Sequence, residues 1–74
     1  MTVYELGKEL KAMYETAPNG EATLMIRLFG IKYADVINSN DYTAVEIVKA
    51  SGIKDSYHTE VSKGIKLARY VKLK

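Results

Sequence analysis

The strongest constraint on this chain is the break at Ser51-Gly52-Ile53, set between two short stretches of helical periodicity. Upstream, Thr43 and Glu46 stand three residues apart, the spacing at which each side chain satisfies the other's free backbone N–H. Ala44, Ile47 and Val48 supply an inner face. Gly52 then stops the helix after about two turns, because glycine takes the left-handed conformation that closes a helix end. Downstream, Asp55 or Ser56 is placed to cap a further helix with inner positions Tyr57, Val61, Ile65 and Ala68, spaced by four and by three. Helices joined by so tight a turn cannot lie in line, so the second must cross the first and leave an outer face open.

The rest of the chain reads as support for that pair. Thr2 and Glu5 form another capping box, and Val3, Leu6, Leu10, Met13 and Ala17 follow on one helical stripe until Pro18-Asn19-Gly20. The segment from Ala22 to Ile37 is apolar on most sides, which suits a central helix buried by its neighbours. Gly30 is placed to split it, and Thr23–Leu28 fits a buried strand as well as a helix, since so short an apolar run has no deciding period. Asn38-Ser39-Asn40-Asp41 is a loop. At the end, Tyr70, Lys72 and Lys74 alternate with Val71 and Leu73, as in a short strand. The fold class expected is therefore mainly α, a four-helix domain over residues 1–74 with a short C-terminal β-strand.

Composition narrows the function. A chain of 74 residues with 47% apolar content holds one core, and its small size leaves a modest stability margin. With no cysteine and His58 as its sole histidine, thiolate and histidine metal sites are not expected, nor is any cofactor. No phosphate-loop glycine pattern and no nucleophile–base pairing is present, so the expectation is not an enzyme, with no small-molecule substrate. The first residues lack the pattern of a secretory leader and no apolar run is long enough to span a bilayer, which points to a cytoplasmic protein with no membrane partner. Net charge is only +2, but it is unevenly placed. Residues 1–42 carry four Lys/Arg against six Asp/Glu, residues 43–74 carry seven against three, and no acid follows Ser62. A field positive at one end favours a polyanionic partner; the plainer reading is a solvated face.

The run from Glu46 to Gly64 resembles the helix-turn-helix of phage-repressor and Cro-like regulators, which share an apolar first helix, a Ser/Ala-Gly-Val/Ile turn, a Ser-Tyr start to the recognition helix and a glycine near its end. A basic strand after that helix is similar to the start of the wing in a winged-helix variant. The resemblance implies a helix-turn-helix core at 43–68 that binds double-stranded DNA as a small bacterial or phage transcription regulator. It places Ser56, His58, Thr59, Ser62, Lys63 and Lys66 toward the groove, and Lys54, Arg69, Lys72 and Lys74 on the backbone. Specific readout would call for a homodimer, with the strand at Tyr70–Leu73 as an edge for pairing. The alternative is a protein-interaction module, an adaptor or anti-repressor, that uses the same fold. Tyr57 reads as core packing ahead of base stacking, and Phe29 and Tyr33 as core ahead of a partner groove.

Overall fold

The computed structural model describes residues 1–71. Among these residues four α-helices follow one another: α1 (Val3–Glu15), α2 (Ala22–Ser39), α3 (Ala44–Ser51) and α4 (His58–Leu67), with a 3-10 turn at Asp55–Tyr57 leading into α4. Both capping boxes form. The Glu5 N–H donates to Thr2 Oγ1 at 3.1 Å while Thr2 N–H donates to Glu5 Oε1 at 2.8 Å, and Thr43 with Glu46 repeats the arrangement at 3.2 and 3.0 Å.

The segment with two readings is helix throughout. Ala22–Ser39 runs unbroken for 18 residues, through both the Thr23–Leu28 stretch and Gly30. Its end is closed by a left-handed residue that is not glycine: Asp41 sits at φ 57, and the N–H groups of Asp41 and Tyr42 donate to the carbonyls of Asn38 and Ile37. This is the two-bond pattern of a helix terminated by reversal of the backbone.

The helices pack as two pairs, α2 on α4 and α1 on α3, with α1 against α2 joining them. One core results. Leu6 and Leu10 enter from α1, Ile26, Phe29 and Ile37 from α2, Ile47 and Val48 from α3 and Val61 from α4, all essentially removed from solvent. Each such side chain is worth about 1.5–3 kcal/mol relative to exposure. Phe29 and Tyr33 pack together at 5.1 Å between ring centroids, inside this core or against it.

Gly30 does not divide α2; it is where α4 crosses. A Cβ at Gly30 would lie 2.6 Å from the Val61 carbonyl oxygen and 2.9 Å from Gly64 Cα, and one at Gly64 would strike the Arg27 carbonyl oxygen. The two helices therefore meet backbone to backbone. Gly7 allows a similar approach of α1 to Ala50 and Ser51 of α3, with a Cβ there only 2.8 Å from both.

Among the described residues the C-terminal strand is not found. Arg69, Tyr70 and Val71 donate to the carbonyls of Lys66 and Leu67 at 2.9–3.2 Å, extending the end of α4 by a further turn. Local i→i−3 and i→i−4 bonds satisfy these N–H groups without a partner strand, and no strand occurs among the described residues to pair with. The expected wing and the dimer edge at Tyr70–Leu73 lose their footing with it, and Lys72, Leu73 and Lys74 lie outside the described residues. No helix among the described residues is long and apolar enough to cross a membrane.

Candidate nucleic-acid interface

The turn between α3 and α4 is built by Ser51 and Gly52. Gly52 takes φ 79, in the left-handed region, and its N–H donates to the Lys49 carbonyl. Ser51 is buried; its hydroxyl donates to the Val48 carbonyl at 2.6 Å and accepts the Ile53 N–H at 3.2 Å. One side chain thus satisfies a free carbonyl at the end of α3 and a free N–H beyond the turn.

The chain enters α4 differently from expectation. Neither Asp55 nor Ser56 caps it with a side chain; the 3-10 turn takes up the first N–H groups instead, with Tyr57 N–H donating to the Lys54 carbonyl at 3.0 Å. A 3-10 turn at a helix start closes a tighter ring and removes the need for a cap. Tyr57 points to the body of the domain. It packs against the core and stacks at a tilt on Tyr14 of α1, 5.5 Å between ring centroids. The neighbouring Tyr57 phenol raises the Tyr14 phenol above the ordinary tyrosine range, because a neutral Tyr14 hydroxyl can donate toward Tyr57 and an ionised one cannot.

On α4, Val61 and Gly64 face the core. Opposite them stands a stripe spaced by three and four, Ser56, Thr59, Lys63, Lys66 and Tyr70, and all of these residues are exposed. The Thr59 hydroxyl donates to the Ser56 carbonyl at 3.1 Å, which keeps its oxygen available as an acceptor. His58 and Ser62 do not belong to the stripe. They are half-buried on the flank of the helix, so the residues expected at base edges divide into an outward set, Ser56, Thr59, Lys63 and Lys66, and a flanking pair. Lys54 and Arg69 are exposed at the two ends of the segment, and Lys72 lies outside the described residues.

One residue remote from the basic run, Arg27, and one within α4, Glu60, shape this face. Arg27 of α2 donates through Nη2 and Nε to Glu60 Oε1 of α4, at 2.9 and 3.2 Å, and reaches Oε2 at 3.4 Å. Lys63 approaches the same carboxylate at 3.5 Å. The Glu60 side chain is only 12% exposed, and the hydrogen bonds from Arg27 hold its carboxyl below the ordinary range, helped by the Arg27 and Lys63 charges and opposed by burial. Lys63 is therefore a cation with a carboxylate beside it. Arg27, Lys63, Lys66, Leu67 and Tyr70 together line an open cleft of about 300 Å³. The chain position of Arg27, in the acidic half, carried no hint of this; Tyr70 was legible in principle, because it continues the three-four spacing from Ser56.

A short braced helix, a left-handed glycine turn and a crossing helix with a polar, cationic outer face define a helix-turn-helix type of domain. The chain belongs to the HTH-like domain family, whose model matches residues 2–74. Comparison with curated proteins and with solved structures finds no match.

Proposed function

We propose that this domain binds double-stranded DNA through the outward face of α4, as a small bacterial or phage transcription regulator. The observation that carries the reading is the exposed stripe Ser56, Thr59, Lys63 and Lys66 on a helix braced across its inner face by α2 and α3. Hydroxyls on such a stripe can bond base edges, and lysines can reach phosphate or guanine. Lys54 and Arg69 at either end would hold the sugar-phosphate backbone. His58 and Ser62, on the flank, would contribute where the groove wall closes on the helix. A single copy with so few contacts binds weakly, so on this reading specific recognition uses two copies on two half-sites. On this reading the role is binding; the cleft beside the stripe gathers cations, a phenol and an aliphatic side chain.

Anisotropy of a labelled random duplex at several salt concentrations tests the proposal. Four cations on phosphate correspond to a log–log slope near −3.6, at about 0.9 per phosphate. The double change Lys63→Glu and Lys66→Glu should abolish binding and leave the helical content intact, because both side chains are exposed. Survival of binding in that variant would remove α4 from the interface.

A further inference from the structure

We propose that the cleft at the end of α4 is a docking site for an acidic peptide segment anchored by one large apolar side chain. The cleft presents two chemistries at once. Arg27, Lys63 and Lys66 ring it with positive charge, and Glu60, the carboxylate beside them, is already engaged by Arg27 and Lys63. Leu67 and Tyr70 line it with apolar surface, and they are 42% and 80% exposed.

A phosphate backbone satisfies the cations and leaves Leu67 in water. An uncharged apolar partner covers Leu67 and strips solvent from cations without replacing it, which is costly. A segment in which Asp or Glu flanks a Phe or Leu meets both demands in one strand of chain, with the ring or isobutyl group against Leu67 and Tyr70 and the carboxylates on Lys63 and Lys66. A volume of about 300 Å³ has room for one such side chain together with part of the chain that carries it, and Leu67 and Tyr70 supply the apolar lining for a single anchor. This inference stands apart from the DNA reading. If both hold, the two ligands exclude each other, because Lys63 and Lys66 serve each of them, and the peptide acts as a competitor for the DNA-binding face.

The test uses the full chain and two short labelled peptides built from Glu and Asp, one with a single central Phe and one with Ser in its place. The Phe peptide should bind about tenfold or more tightly than the Ser peptide, the ratio expected for burial of one large side chain. Leu67→Ser and Tyr70→Ser should each erase that ratio. Both sites are exposed, so the helical circular dichroism should be retained. Lys66→Glu, also exposed, should weaken both peptides. Equal binding of the two peptides would overturn the proposal in favour of charge attraction alone. A Phe preference that survives Leu67→Ser and Tyr70→Ser would place the anchor elsewhere and overturn it as well. Binding of the duplex with neither peptide bound would assign the cleft to nucleic acid. Peptide binding with no duplex binding would support the docking site and remove the DNA reading instead.

Discussion

The two helices of the helix-turn-helix are specified in opposite ways. α3 carries its own instructions: the Thr43–Glu46 box at its start, Ser51 and left-handed Gly52 at its end, each acting within a few residues along the chain. α4 has no side-chain cap at either end and takes its position from α2, through the Gly30–Gly64 contact and the Arg27–Glu60 ion pair. The bracing helix is thus defined locally and the outward helix is defined by a crossing. That division suits a binding surface, since the face of α4 toward solvent is left with no structural duty along most of its length.

The comparison is most easily broken at the crossing. Gly64→Ala should cost about 3 kcal/mol, the upper end for overpacking, because the obstruction is the Arg27 backbone and not a side chain that can turn away. In a domain this small that lowers Tm by about 12 °C or more in a thermal melt. At a solvated helical site the same change would stabilise instead. A Tm unchanged or raised would show that α2 and α4 do not meet through their backbones.

Changes within α3 should be milder. Ser51→Ala removes the bonds to the Val48 carbonyl and the Ile53 N–H in a buried place, a loss of about 1–3 kcal/mol, measured by urea unfolding. Thr43→Ala takes one cap from an exposed helix start and should cost about 1 kcal/mol by the same measurement. A Thr43→Ala loss larger than that of Ser51→Ala would mean that the start of α3, and not the turn, is the critical local device.

The smallest effect sharpens the ionic part of the contrast. The Glu60 carboxyl lies below its usual 4.5 in the folded chain, so its contribution is present above that pH and fades as pH falls through the lowered value. Arg27→Ala should therefore destabilise the domain slightly at neutral pH, with the difference from the parent chain closing in acid. A difference that persists unchanged at low pH would make the Arg27 contribution one of packing by its aliphatic stem.

Much of the frame was legible beforehand. Thr2, Glu5, Thr43, Glu46 and Gly52 act through neighbours in sequence, and the expected helix starts and the left-handed turn are found where these residues stand. Ile47, Val48 and Val61 fall in the core as their spacing implied. The errors have two sources, one tertiary and one local. Gly30 read as a breaker and is a crossing point; Tyr70 read as strand and continues the turn of α4; Asp55 or Ser56 read as a cap and is part of a 3-10 turn. For Gly30 the outcome depended on the backbone of α4, which local propensity does not record; for Tyr70 and the Asp55–Tyr57 turn, bonds to carbonyls three and four residues back won over the alternating pattern and the side-chain cap.

The sequence by itself determined that this is a mainly helical domain with a helix–turn–helix between Thr43 and Ala68, because caps, left-handed glycine and three-four periodicity act over a single turn of chain. Only the tertiary structure decided that Arg27 joins Lys63 and Lys66 around a cleft, that Glu60 occupies two of those cations, and that His58 and Ser62 stand aside from the outward stripe. Those facts follow from the angle and closeness at which α4 crosses α2, and that crossing is set by two glycines lying far apart in the chain.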